Sequence, residues 1–388
     1  MRSFRTTPGV PQIFGEGASR LTGEELKKLG ATKVFVIYDK GVFNAGIVEP
    51  ILETLKEAGL EYISTDKVLP DPPDENIEEI TRDVNAYDPD ALLAIGGGSS
   101  LDVAKVISVY RYLTPPLGQY MTLGDKVDAK YKNIRNCILV VIPTTSGTGA
   151  EMSGGGVVTD TFHNYSKVSF DTPKCLPDLA ILDPVLTTSL PPYVTATTAM
   201  DSLCHSIETM TGLKRSARTD MINGYAVELI WRSLPKAFAD GKNLEARGEL
   251  QIAANLAFTS DAGTNFGHGV AHAMGAIHIP HGHICARILP PYVRYMASKH
   301  TADKELMLIA EKMHLETNQE NCGEVIAQAI EDLQRKLGLK SLRELGVDKG
   351  LFMSGMEDLF TTQIGRIHRG NPAPTREEMM LFFEEMYG

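Results

Sequence analysis

A chain of 388 residues is long enough for roughly two to three domains of ordinary size. With 43% hydrophobic and 22% charged residues, it has the composition of a globular protein able to bury sizeable cores. The 49 acidic against 38 basic side chains leave a net charge of −11, which argues against nucleic-acid binding through clustered Lys and Arg.

No apolar run approaches the ~18 residues that a membrane span needs, and the N-terminal MRSFRTTPGVPQIFG lacks the apolar core of a signal peptide. The five cysteines, Cys137, Cys175, Cys204, Cys285 and Cys322, are scattered, odd in number and without a CxxC pair. That usage argues against a disulfide framework and sets the expectation of a reducing, cytoplasmic setting.

In chain order, residues 34–38 (VFVIY) form a β-branched and aromatic run suited to a buried strand. Ile51 and Leu55, with Pro50 in a first turn and Gly59 as a stop, predict a short helix. Ile77, Ile80, Val84 and Tyr87 recur every three or four residues, one face of a second helix that Asp88-Pro89-Asp90 ends. Residues 91–95 (ALLAI) predict another buried strand, 101–110 a helix and 138–142 (ILVVI) a third strand. Strand alternating with helix implies a parallel sheet covered by helices. After Pro184 strand-like runs cease, and helix-period segments such as 225–238, 250–258 and 323–337 dominate. The expected division is an α/β domain over residues 1–186 and an all-helical domain over 187–388, with a ligand cleft between them.

The glycines gather where chemistry is expected. Gly96-Gly97-Gly98-Ser99-Ser100 follows a predicted strand and opens a helix, the arrangement that brings backbone N–H groups to a pyrophosphate. Leu101 stands where G-x-G-x-x-G has its last glycine, so a plain tight turn is the competing account. A second loop, Pro143-Thr144-Thr145-Ser146-Gly147-Thr148-Gly149, follows the next strand and adds hydroxyls at the carboxyl ends of the sheet, where open parallel sheets bind ligands. Asp39 ends the first strand; a carboxylate there accepts from ribose hydroxyls and repels a 2′-phosphate, favouring NAD over NADP. The competing account is a solvated turn aspartate beside Lys40.

Five of the ten histidines fall between His268 and His283. Asp201 and His205 are four apart in a predicted helix, as are His268 and His272, so each pair leaves one helix face. His281 lies on an expected turn between Pro280 and Gly282. Three imidazoles and one carboxylate can converge as a site for a borderline divalent transition metal. His163, His300 and His314 are expected to be ordinary surface or hydrogen-bonded residues. Cys204 neighbours His205 but leaves the helix in another direction, so core packing accounts for it.

Together the stretches GGGSSLDVAK (96–105), PTTSGTGAE (143–151), DPVLTTSLPP (183–192), AMDSLCHSIE (199–208) and HGVAHAMGAIHIPHG (268–282) resemble the iron-containing (group III) alcohol dehydrogenase family, in its order and across most of the chain. The resemblance implies a Rossmann-like NAD-binding domain followed by an all-α metal-binding domain, a dehydroquinate synthase-like fold. It implies Asp201, His205, His268 and His281 as ligands of Fe²⁺, or of Zn²⁺. It places His272 beside substrate and nicotinamide, and Gly97, Gly98 and Ser99 at the pyrophosphate. Thr144, Thr145, Thr148, Lys167 and Leu186 line the family's cofactor site, Asp39 stands where the ribose is read, and Asp71 replaces the Asn of an N-P motif. The expected reaction is hydride transfer between a small primary alcohol or aldehyde and nicotinamide, in a homodimer or larger homo-oligomer without nucleic-acid or membrane partners.

Departures from the family bear on substrate. Gly154-Gly155-Gly156 replaces bulkier residues and predicts extra room in the pocket. The stretch from Phe258 to His268 is one residue longer than the resemblance predicts, and the stretch before His281 one shorter. Arg366, His368 and Arg369 precede Gly370-Asn371-Pro372 in a segment that approaches the outer pocket by resemblance, and Arg366 is a candidate grip for an anionic aldehyde. The competing account leaves both arginines solvated or paired with acidic residues such as Glu377 and Glu378. Competing functions are a dehydroquinate synthase-like lyase, a glycerol dehydrogenase-like enzyme and a non-catalytic nucleotide-binding protein; the Asp201/His205 pair disfavours the lyase.

Overall fold

The three apolar runs predicted as buried strands lie side by side. In the computed structural model, which describes residues 9–121, 137–161, 166–259 and 263–388, they are β2 (Lys33–Tyr38), β4 (Ala91–Gly96) and β5 (Ile138–Pro143). With β1 (Gln12–Phe14), β3 (Glu61–Thr65) and β8 (Leu179–Leu182) they form a six-stranded sheet in the order β1-β8-β5-β4-β2-β3, every pairing parallel. The register sets Val34 against Ala91 and Ala91 against Ile138. Alternate residues feed two cores. Phe35, Ile37, Leu92, Ala94, Leu139 and Val141 face one layer, whereas Val34, Val36, Leu93, Ile95, Val140 and Ile142 face the other. Burial on both faces is why these strands are unbroken apolar runs rather than alternating ones.

The helices are α1 (Thr22–Lys28), α2 (Lys40–Asn44), α3 (Val48–Glu57), α4 (Asp74–Tyr87) and α5 (Gly98–Tyr110). Helix α4 ends as its sequence predicts: Asp88 takes the left-handed conformation, φ 51°, and its N–H donates to the Val84 carbonyl. A buried carboxylate closes the far edge. Asp183 accepts from the backbone N–H groups of Gly17, Ser19 and Val185 and from the Ser19 hydroxyl.

The triple glycine lies in and beside β6 (Gly155–Asp160), which pairs antiparallel with β7 (Ser166–Asp171) apart from the main sheet. The expected extra room is not there. A Cβ at Gly156 would stand 2.7 Å from Val106 Cγ2 and 2.8 Å from the Asp102 carbonyl, and one at Gly155 would overlap the Asp171 carboxylate. The glycines let the hairpin press against α5; Val157 N–H donates to Asp102 from this contact. Lys105 anchors the same corner, its buried ammonium donating to the Ala150 carbonyl and the Ser153 hydroxyl.

Residues from Leu190 onward belong, with Ser146–Thr148, to a second compact unit; Pro8–Thr145 and Gly149–Ser189 make up the first. Among the described residues no strand follows β8. The second unit contains α6 (Pro192–Thr211), α7 (Ala217–Ala239), α8 (Leu244–Phe258), α9 (Phe266–Ala273), α10 (His281–Ser298), α11 (Asp303–Lys312), α12 (Cys322–Lys336), α13 (Lys349–Thr361), α14 (Ile364–Ile367) and α15 (Arg376–Tyr387). Leu203, Ile207, Phe266, Val270, Ile288 and Tyr292 knit α6, α9 and α10 into its core. Among the described residues no helix is long and apolar enough to cross a membrane.

The tight β6–α5 contact makes a direct prediction. Gly156→Val has to displace helix backbone, and should destabilise the first unit by about 1–3 kcal/mol, read as a lower denaturation midpoint; an unchanged midpoint would mean that the glycine is not needed for packing.

Candidate metal centre and nucleotide loops

Three helices supply the donor groups of the second unit. Helix α6 carries Asp201 and His205 one turn apart, α9 carries His268 and His272, and α10 begins at His281. Two glycines allow the close approach. A Cβ at Gly282 would lie 2.1 Å from the Thr197 carbonyl of α6, and one at Gly267 would overlap Glu208 Oε1. Asp201 Oδ1 thereby stands 3.2 Å from His268 Nε2, 3.7 Å from His281 Nε2 and 3.9 Å from His205 Nδ1. The His205 and His268 rings stack with centroids 4.1 Å apart. Asp201, His205 and His268 are buried, and His281 is partly so.

Burial alone would drive Asp201 toward its neutral form, but the His205, His268 and His281 rings around it hold its carboxyl well below the usual range. Burial, helped by the charge of its neighbour His268, keeps His205 neutral. Burial opposes protonation of His268 too, yet Cys285, Glu208 and Asp201 raise it well above an ordinary imidazole. An ionised carboxylate facing a neutral imidazole whose buried Nδ1 has no hydrogen-bond partner among the described residues fits a divalent cation.

Glu208 escaped sequence reasoning. Fully buried one turn beyond His205, it accepts from His268 Nδ1 at 2.8 Å, from the His268 backbone N–H at 2.9 Å and from the Asn265 N–H at 3.0 Å. It fixes the ring so that Nε2 points at Asp201, the carboxylate–histidine arrangement of metal sites. The only sequence signal was its place in AMDSLCHSIE, three residues past a candidate ligand.

The remaining histidines separate by environment. His272 is buried, its ring 5.2 Å from that of His281 and edge-on to it. His283 packs elsewhere, between the Tyr193 hydroxyl and the Lys340 carbonyl. His278, at φ 53°, turns the chain toward α10; His300 pairs with Asp303, and His314 is exposed. His163 lies outside the described residues, as do residues 260–262 of the stretch expected to be one residue long. Cys204 packs in the core as expected, fully buried, with its Sγ 3.8 Å from His268 Nδ1.

In the first unit, β4 runs into the glycine loop. Gly96 has φ 156°, and a Cβ there would strike the Ser100 side chain. Gly97 is the N-cap of α5, so Gly98 and Ser99 supply first-turn N–H groups, the donors that a helix of this length leaves for an anion. The Thr144 N–H donates to the Gly96 carbonyl, and Thr145 lies against Gly97, joining the two loops. Thr148 falls in the other unit, in a loop whose Gly147 carbonyl accepts from Ser202 of α6. Leu186 sits in the turn Pro184–Thr187 and packs partly on the β2 layer.

Asp39 is no solvated turn residue. One oxygen caps α2 through the Val42 N–H at 3.1 Å, and the other accepts from the Ser100 hydroxyl at 3.0 Å. Asp71, at φ 47°, pairs with Lys167 Nζ at 2.6 Å, uniting two residues expected singly at the cofactor.

The comparisons with known proteins agree with both units. The model of iron-containing alcohol dehydrogenases matches residues 11–184, and the C-terminal model of the Fe-containing alcohol dehydrogenase family matches residues 195–387. Choline dehydrogenase of Bacillus subtilis is 34% identical over 362 residues, 89% of this chain and 87% of that protein. Sulfoacetaldehyde reductase of Bilophila wadsworthia is 31% identical over 392 residues, 96% of each chain. The crystal structure of a 1,3-propanediol oxidoreductase superposes with a TM-score of 0.90 at 29% identity, covering 99% of this chain and 100% of that one. The chain belongs to the iron-containing alcohol dehydrogenase family and is an oxidoreductase of that type.

Glu208→Gln would turn an amide N–H toward groups that themselves donate. Metal affinity should fall about 10- to 100-fold in a chelator competition, with little change in fold; undiminished affinity would remove Glu208 from the centre.

Proposed function

We propose that the protein is an NAD-dependent, divalent-metal-dependent alcohol dehydrogenase that also works as an aldehyde reductase on small primary alcohols and aldehydes. The observation that carries this is the convergence of Asp201, His205, His268 and His281 from three helices around a buried carboxylate. Family membership supplies the reaction class.

Asp201, His205, His268 and His281 would hold the ion, Fe²⁺ being the family's metal and Zn²⁺ the alternative. When bound, the ion supplies Lewis acidity to the substrate oxygen, and NAD supplies the hydride acceptor. The N–H groups at Gly98 and Ser99 would hold the pyrophosphate, with Thr144 and Thr145 beside it. Asp39 would face the ribose. His272, buried one turn past His268, would hold or release the proton of the substrate hydroxyl. Helices α6, α9 and α10 exclude bulk water from the donor groups, so a charge held there is little screened. The domain limits 1–186 and 187–388, a cytoplasmic setting and a homo-oligomer remain part of this proposal.

A second reading narrows the substrate. Arg366 of α14 donates from Nη1 to the Thr264 hydroxyl at 2.6 Å, and its Cβ packs over Gly269 of α9. Glu378, one of the two acidic residues named as expected partners, is engaged by Lys299 and the Thr375 N-cap. A guanidinium on the helix packed over α9, which carries His268 and His272, suits an aldehyde with an anionic far end, and one relative is named for sulfoacetaldehyde, which carries a sulfonate.

Three measurements bear on this. Stripping the metal with a chelator should abolish NADH oxidation by an aldehyde, and adding back Fe²⁺ or Zn²⁺ should restore it; full activity in the stripped protein refutes metal dependence. The native enzyme should prefer NAD, and Asp39→Gly should raise kcat/KM with NADP while costing only about a few tenths of a kcal/mol of helix-cap stability. A native enzyme that uses NADP as well as NAD would end that assignment. Arg366→Ala should lower kcat/KM for an anionic aldehyde at least about tenfold, the loss of one charged contact, and leave a neutral aldehyde of equal length nearly unchanged. Equal effects on both would reject the anionic reading.

A further inference from the structure

The donors closest together around Asp201 are not the four expected ones. Cys285 Sγ, from α10, lies 3.6 Å from His281 Nε2 and 3.8 Å from His268 Nε2. One ligand atom from each of Asp201, His268, His281 and Cys285 fits within 4.8 Å of every other. Cys285 is fully buried and stands four residues after His281, so both side chains leave the same face of α10.

These spacings have a chemical meaning. Nitrogen and sulfur donors bound to one ion at about 2.1 and 2.3 Å lie about 3.6 Å apart at a tetrahedral angle, and about 3.8 Å apart at a somewhat wider one. The two sulfur–nitrogen distances match these edges. The 3.2 and 3.7 Å from Asp201 Oδ1 to the same nitrogens bracket the edge for oxygen and nitrogen donors, about 3.4 Å. Cys204 does not share this geometry, because its Sγ faces His268 Nδ1, on the Glu208 side of the ring.

We infer that Cys285 is a ligand of the metal centre, making it a mixed oxygen, nitrogen and sulfur site that favours a thiophilic divalent ion such as Zn²⁺ over Fe²⁺. The inference rests on the metal centre proposed above. On binding, the Cys285 S–H bond breaks, the sulfur–metal bond forms and the proton goes to solvent, with no change of oxidation state. Soft thiolate donors select zinc among divalent ions of similar size, whereas carboxylate and imidazole donors discriminate less.

The test loads the stripped, full-length protein with Co²⁺ and records its absorption spectrum. A thiolate ligand gives a sulfur-to-cobalt charge-transfer band in the near ultraviolet, which Cys285→Ser should abolish while the visible cobalt bands remain; Cys204→Ser should leave it intact. In metal competition, Cys285→Ser should lower the Zn²⁺-to-Fe²⁺ preference by about tenfold or more. If Cys285→Ser folds poorly, a band present in the wild type and kept in Cys204→Ser still assigns the sulfur to Cys285. Cobalt bound without the charge-transfer band overturns the Cys285 assignment and leaves the metal centre standing. Failure to bind cobalt at all overturns both. A band lost with Cys204→Ser and kept with Cys285→Ser assigns the sulfur to the wrong residue and equally overturns the inference.

Discussion

The helical unit is organised around one buried negative charge. Asp201 is 2% exposed, and an ionised carboxylate so far from water costs several kcal/mol unless compensating charge surrounds it. No Lys or Arg is paired with it among the described residues; its neighbours are the imidazoles of His205, His268 and His281. The raised basicity of His268 offsets part of that charge while His205 is held neutral, and a donor set of this kind suits a cation among the rings. The demand reaches into the backbone, since α6, α9 and α10 must approach closely enough to need glycine at positions 267 and 282.

Around that charge the polar groups form layers. Glu208, fully buried and holding His268, could not remain as an isolated anion; two backbone N–H groups and one ring N–H satisfy it. Tyr292 extends the network, its hydroxyl joining Thr211 of α6 to the Asn265 amide. The ring nitrogens are thus aimed by hydrogen bonds that exist before any ligand arrives. A chain that fixes its donors on folding spends less free energy on ordering them at the moment of binding.

How much of this was legible follows from periodicity and distance along the chain. Strands β2, β4 and β5 are buried on both faces and stand out as apolar runs, whereas β1 is three residues long and β3 is largely polar and exposed. The i, i+4 spacings of Asp201–His205 and His268–His272 are local, so they could be read directly. Cys285 and Glu208 acquire their significance from another helix: 17 residues separate Cys285 from His268, and 60 separate Glu208 from it. No spacing rule reaches that far. Gly154–Gly156 misled for a related reason, because a missing side chain reads equally as empty space or as close packing, and only Asp102 and Val106 on the facing helix decide it.

Asp39 shows how structural and recognition roles can share one side chain. A carboxylate offers about four lone-pair positions; the Val42 N–H and the Ser100 hydroxyl take two of them. These bonds fix the carboxylate at the end of β2 and tie it to Ser100 in the first turn of α5, whose N–H groups are the proposed pyrophosphate donors. In the proposed cofactor site the two remaining positions would accept from ribose hydroxyls, and the carboxylate would repel a 2′-phosphate. Discrimination by a charge locked in place needs no rearrangement on binding, so its cost is met during folding. The same economy governs Glu208 at the other site: a buried carboxylate, held by backbone N–H groups, aims the ring proposed to bind the metal. In each unit the side chain proposed to meet the ligand is oriented by a neighbour whose own position the fold has already determined.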